Sequence, residues 1–138
     1  MSPRRSVTYT VEGTPRPKGS RVAGVTKTGV RYNRESNPRA VEAYKAMRKR
    51  LSELHQEPPL TPPYHVVLTF YFPEPKSNPT WPRSGDCDKY ARLVLDACGP
   101  IKGKWDGIIE DDRHVIELSA VKRYGEPRTE ITVHEAGH

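Results

Sequence analysis

Long apolar runs are missing from this chain, which excludes a membrane span: no stretch approaches the ~18 consecutive apolar residues that such a helix requires. No signal-peptide core follows Met1 either. Cysteine is nearly absent. Cys87 and Cys98 are too few to complete a zinc set on their own, and a helix between them would hold them about 16 Å apart, beyond disulfide reach. Reduced thiols and a cytoplasmic setting follow as expectations. Aromatic residues make up 8% and all hydrophobic residues 34% of the sequence, so the expected core is lean and joined by long polar connections. Acidic residues are scarce in the first 50 positions, where only Glu12, Glu35 and Glu42 stand against 13 Lys and Arg.

What is present is length enough for one domain spanning residues 1–138 with a real core, and a formal charge of +6 concentrated at the front. A front-loaded positive charge suits a polyanion, nucleic acid being the commonest. The plainer alternative is a solvated basic surface that serves only solubility.

Residues 6–11 alternate, with Val7, Tyr9 and Val11 on one face and Ser6, Thr8 and Thr10 on the other, the mark of a half-buried strand. A Pro/Gly-broken loop follows at 13–21, carrying Arg16, Lys18 and Arg21. Lys18 precedes Gly19, the reverse of the order a nucleotide-binding P-loop needs, so the loop is read as a phosphate contact for DNA rather than a nucleotide site. Residues 24–34, with Arg31 and Arg34, read as a flap or short hairpin. A helix is expected from Pro38, capped by Asn37, with Val41, Tyr44, Met47, Leu51 and Leu54 on its apolar face. Prolines 58, 59, 62 and 63 then forbid regular structure until the best strand, 65–72, where Val66, Leu68, Phe70 and Phe72 align at period two. After a proline-broken loop, Tyr90, Leu93, Val94 and Ala97 share one face of a helix over 88–98, while Asp88, Arg92 and Asp96 stack in one row on another. Strands at 115–124 and 129–133, turned by Gly125-Glu126-Pro127, are expected to form a terminal hairpin. The fold class is therefore α+β: a mixed β-sheet, element order β-α-β-α-β-β, with helices packed on the sheet.

Eight of the 17 acidic residues fall within 86–117 of this basic protein. Gathering carboxylates against the prevailing charge is costly unless a cation sits among them, and oxygen ligands suit a hard divalent ion. Mg²⁺ prefers a few carboxylates plus waters, so Asp86 and Asp88 at a strand-to-helix junction, joined by one distant aspartate, would make a half-open site. An ion there polarises a phosphodiester and activates water, while Arg92 or Lys89 offsets the charge gathering on phosphorus. The competing reading is structural, with Asp86 and Asp88 capping the helix and Asp111-Asp112 in a turn. A decoy ends the chain: His134-Glu135-Ala136-Gly137-His138 matches the zinc-protease pattern H-E-x-x-H. It follows an expected strand rather than lying on the helix that the chemistry requires, so it is set aside.

The run D-x-D at 86–88, a basic residue four positions on, Asp96, then D-D-x-x-V at 111–115 and a strand resembles the RusA family of Holliday junction resolvases. The likeness is specific over residues 86–122 and looser at the Pro-Lys-Gly loop (17–19) and the helix from 38. It implies a small homodimeric endonuclease of bacteria or phages, of phage or prophage type here. Such enzymes need Mg²⁺ (with Mn²⁺ as a substitute) and no small-molecule cofactor, and act on four-way junction DNA in recombination and repair. Asp86 and Asp88 match the family's paired metal-binding aspartates and Asp112 the distal one. Arg92 stands where a catalytic lysine is usual, and Lys89 where Asn is common. Arginine stays charged and does not readily exchange a proton, so either Arg92 is an electrostatic clamp or Lys89 takes the lysine's part. Two rivals are a nuclease of flaps or ordinary duplex, and a non-catalytic DNA-binding module.

Overall fold

The structure is a computed structural model that describes residues 4–18, 21–25, 31–35, 38–76, 80–83 and 85–137, with the backbone alone at 21–25 and 31–35. Its elements in chain order are β1 (Ser6–Glu12), β2 (Arg21–Val25), β3 (Arg31–Glu35), α1 (Pro38–Leu54), β4 (Tyr64–Phe72), α2 (Cys87–Ala97), a 3₁₀ turn (Asp112–His114), β5 (Val115–Tyr124) and β6 (Arg128–Glu135). The expected flap is a separate two-stranded β2–β3 ribbon. Helix α1 begins at Pro38, as its pattern predicts, and Asn37 lies outside the described residues.

β4 organises the sheet because its inward side chains are the most apolar. Tyr64, Val66, Leu68, Phe70 and Phe72 are all buried, and the intervening residues are half-buried. A strand so apolar is best placed in the interior, and the sheet order β1-β6-β4-β5 puts it there. The expected terminal hairpin does not form. β5 runs parallel to β4 on one side, β6 antiparallel to it on the other, and β6 is sealed from outside by β1. Residues 125–127 cross the end of β4, where the Gly125 N–H bonds the Phe72 carbonyl at 2.9 Å. Two strand spacings are about 10 Å, within reach of so short a connection. The charged pattern of β5 (Glu117, Lys122, Arg123) suits an edge, whereas Thr129, Ile131 and Val133 of β6 are buried.

Both helices lie on the face lined by Val66, Leu68 and Phe70. α2 buries Tyr90, Ala91, Leu93, Val94 and Ala97, with the Tyr90 ring 5.5 Å from that of Phe70 and 5.3 Å from that of Phe72. α1 buries Ala40, Met47 and Leu51. Each fully buried aliphatic side chain here contributes about 1.5–3 kcal/mol of transfer free energy. The opposite face is polar, carrying Thr8 and Thr132 in contact and His65 against Glu117. Among the described residues no helix is long and apolar enough to cross a membrane.

Candidate active site

The approach to α2 is shaped by Gly85. Its φ of +68° is one that L side chains avoid, and a Cβ there would lie 2.7 Å from the Tyr90 hydroxyl. Only glycine lets the chain pass this close to the core tyrosine and deliver Asp86 to the helix start. Lys122 of β5 reaches over to the Gly85 carbonyl (2.9 Å), and the Cys87 thiol meets the Ala120 carbonyl (3.3 Å). The amino end of α2 is thus seated above Ala120 and Lys122.

Asp86 occupies the N-cap position, its carbonyl accepting from the N–H groups of Lys89 (3.0 Å) and Tyr90 (3.3 Å). Its carboxylate makes no capping hydrogen bond and points outward, 72% exposed, with the Lys89 ammonium 3.9 Å away. An aspartate in this position commonly caps its helix, a bond worth about 0.5–2 kcal/mol. Here the side chain forgoes that bond. Asp88 in the first turn is exposed and, among the described residues, no cation pairs with it. Two carboxylates therefore project into solvent from the amino end of α2. Arg92, one turn on, is exposed and free of ion pairs among the described residues, so it does not bridge Asp88 and Asp96.

Asp96 is claimed instead by Lys18, whose ammonium binds its carboxylate while the Lys18 N–H bonds the Lys89 carbonyl at 3.1 Å. The loop at 13–18 is thereby laid against α2. Of the expected DNA contacts, Lys18 spends its charge on Asp96. Arg16 is exposed at the mouth of a groove shared with Gly13, Met47 and Arg50. Arg21, Arg31 and Arg34 lie on the β2–β3 ribbon, in register with Glu35, Val25 and Val22 respectively, and their side chains lie outside the described residues.

The distal aspartates sit at the other end of the helix. The Cys98 carbonyl accepts from Ile108 N–H (2.9 Å) and Ile109 N–H (3.3 Å), and Gly107, at φ +87° with no room for a Cβ, permits that approach. Glu110 N–H then meets the Tyr64 hydroxyl (3.3 Å), and β5 starts opposite Tyr64. Asp111 is a structural carboxylate. It accepts from Arg113 N–H (2.9 Å) and pairs with the guanidinium (3.1 Å), and this backbone bond together with the cation lowers its pKa. Asp112 is exposed beside it.

Asp86 and Asp88 therefore lie over the Ala120–Lys122 end of β5, and Asp112 precedes its Val115 end. The separation is about 16 Å or more, the length of α2 and of the intervening strand. Oxygen ligands sit about 2.0–2.6 Å from a divalent ion. Within one chain the three aspartates do not fit one metal ion, and among the described residues no group of three His, Cys, Asp or Glu side chains is placed to hold one.

The zinc-protease pattern dissolves on inspection. His134 and Glu135 belong to strand β6, and the Glu135 carboxylate is taken by the N–H groups of Arg5 and Thr61, both at 2.6 Å. Lys122, Gly85 and Arg113 shape the acidic region without having been singled out from the sequence. Lys122 does leave a signal there, a charge at a position whose strand neighbours on the same face, Leu118 and Ala120, are apolar.

No curated protein matches the chain in sequence. Residues 9–134, nearly its whole length and including every aspartate discussed above, match the family model Endodeoxyribonuclease RusA. The family is one of Holliday junction-resolving endonucleases, hydrolases that act on DNA. With its carboxylates projecting from a helix start beside a basic loop, this chain belongs to the RusA endodeoxyribonuclease family.

Proposed function

We propose that this chain is a single-domain, Mg²⁺-dependent, structure-selective endonuclease that works as a homodimer in the cytoplasm of a bacterial or phage-infected cell. It resolves four-way junctions in recombination and repair by one phosphodiester hydrolysis on each of two opposed strands. The observation that carries the reading is Asp86, a carboxylate at an N-cap position that declines to cap and stays open to solvent beside Asp88. A carboxylate kept for helix stability would be bonded to the first turn. Asp86, Asp88 and Asp112 are the residues assigned to metal binding. Arg92 is assigned to hold a non-bridging phosphate oxygen, since it is exposed, one turn from Asp88, and not spent on another carboxylate. Lys89 is drawn to Asp86 and serves as its counter-ion. Arg16, with Arg21, Arg31 and Arg34 of the ribbon, supplies phosphate contacts along the arms. Two-fold symmetry of a protein dimer matches that of the junction and accounts for paired nicks.

End-labelled junction, flap and duplex of the same sequence, each with Mg²⁺ or chelator, test this directly. The expected result is paired, symmetric nicks in the junction alone, abolished by chelator. Equal cutting of flap or duplex would replace junction resolution by general nuclease activity. Binding without cutting on every substrate would leave a DNA-binding module.

A further inference from the structure

The H-E-x-x-H run is no zinc-protease site, yet the fold gives His134 a different companion. One row of side chains crosses all four strands of the sheet. Ser6 of β1 is in register with His134 of β6, His134 with His65 of β4, and His65 with Glu117 of β5. Strand alternation puts this row on the face away from the helices, because the neighbours Val66 and Val133 are buried in the core. Each step of the row is a contact. Ser6 Oγ lies 2.6 Å from His134 Nδ1, the two imidazole rings are 5.3 Å apart between centroids, and His65 Nδ1 stands 3.3 Å from Glu117 Oε2.

Those contacts decide which ring nitrogens are left over. An ionised carboxylate only accepts, so Glu117 holds the proton of neutral His65 on Nδ1 and leaves a lone pair on Nε2. Ser6 occupies Nδ1 of His134, and with that N–H given to the hydroxyl oxygen the Nε2 of His134 carries a lone pair as well. Among the described residues neither Nε2 has a hydrogen-bond partner, and both rings are half-buried. Residues directly opposed on antiparallel strands bring their Cβ atoms to about 4.5–5.5 Å. A tetrahedral ion with bonds of about 2.0–2.1 Å needs its two nitrogens about 3.4 Å apart. Rotation about χ2, a soft torsion in histidine, brings rings at this spacing within that reach. A metal-bound histidine characteristically donates its other ring N–H to a carboxylate, which fixes the tautomer and raises the basicity of the ligating nitrogen. His65 and Glu117 stand in that relation.

We propose that His65 and His134 form a chelating pair for a borderline divalent ion of the Zn²⁺, Ni²⁺ or Cu²⁺ class, with Glu117 and Ser6 orienting the two rings from behind and water completing the coordination. Imidazole nitrogen selects that class, whereas Mg²⁺ takes oxygen ligands and does not compete for the pair. Two protein ligands are fewer than a structural zinc site uses, so the ion is exchangeable. It clips β4 to β6, the two interior strands, on the sheet face opposite α1 and α2. It binds whether or not the chain cuts DNA.

The test titrates the untagged, chelator-stripped chain with Zn²⁺ in excess Mg²⁺, by calorimetry and by the NMR ring signals of its five histidines. The expected result is one Zn²⁺ per chain, with the His65 and His134 signals shifting together while those of His55, His114 and His138 stay in place. Glu117→Gln, whose side chain is 68% exposed, weakens binding about tenfold, as loss of an outer partner does, and His65→Ala or His134→Ala weakens it at least about that much. His138→Ala leaves it unchanged. Zn²⁺ raises the melting temperature of the wild type and not that of the two histidine variants. Shifts confined to other histidines overturn the proposal, as does an affinity that His65→Ala and His134→Ala leave intact. A Zn²⁺ site lost with Asp88→Asn and kept without His65 overturns it too, by moving the ion to the acidic corner. Should a histidine variant fail to fold, the wild-type ring signals and Glu117→Gln decide.

Discussion

Two acidic corners of this molecule hold carboxylates in opposite ways. At the end of β6, Glu135 is largely buried and satisfied, accepting from two backbone N–H groups and the Arg5 guanidinium (3.4 Å), and it ties β6 to the chain's start and to the proline segment before β4. At the start of α2, Asp86 stands at the N-cap, where a side chain can bond the first turn, and makes no such bond, with the exposed Asp88 beside it. A carboxylate that serves the fold consumes nearby donors. One that serves an external ion or phosphate keeps its lone pairs open and gives up a fraction of the available stability. The contrast is one of geometry, and Asp111, bonded to Arg113, falls with Glu135 on the satisfied side.

The contrast breaks most visibly if the open corner is not catalytic. Asp88→Asn keeps size and removes charge. It is expected to abolish junction cleavage, with binding intact or tighter as carboxylate–phosphate repulsion is relieved. Gel-shift and single-turnover cleavage on one substrate check both halves, and wild-type cutting by this variant would remove Asp88 from the site.

Next in size is the cation. Arg92→Ala is expected to slow cleavage about 10²–10³-fold, the scale for one oriented transition-state donor. Arg92→Lys restores much of it and Lys89→Ala costs little. The opposite ranking in kcat would transfer the role to Lys89.

The closed corner sharpens the comparison from the other side. Glu135→Gln is expected to cost about 1.5–3 kcal/mol of stability, because charge-assisted bonds to backbone donors are lost, while the rate of cleavage by folded enzyme is unchanged. Burial opposes ionisation of Glu135, but the N–H groups of Thr61 and Arg5 outweigh it and hold its pKa below the ordinary value. A lowered folded pKa stabilises at pH above the unfolded value, about 4.3, and that stability is lost as pH falls through the lowered one. Urea titrations at neutral pH and near pH 3 should show the wild type losing its advantage over the variant.

The smallest effect belongs to Asp86. Having no capping bond to lose, Asp86→Ala should change stability by less than about 0.5 kcal/mol, below the usual cost of removing an N-cap aspartate. A thermal melt showing a larger drop would return Asp86 to the structural class.

Much of this was legible in the chain itself. The period-two pattern of Val66, Leu68, Phe70 and Phe72 and the helical pattern of Tyr90, Leu93, Val94 and Ala97 are local signals, and burial follows them residue by residue. Both cysteines are free, at opposite ends of α2, as the helical spacing required, and burial pushes the Cys98 thiol up to about 12. The family was readable because its motif depends on residue type and spacing. Partner choice between strands was not. Short linkage favoured a β5–β6 hairpin, but burial of the most apolar strand on both edges decided the order, and that competition is settled only when all strands are present. Nor could spacing tell that Lys18 answers Asp96, or how Asp86 at the start of α2 stands to Asp112 in the turn before β5. Sequence by itself determined which residues carry charge, which face of each element is apolar and where helices begin, because these are properties of neighbours along the chain. Tertiary structure alone decided which carboxylates are satisfied, which strand is left at the edge and how far apart the acids stand, because those depend on groups brought together through space.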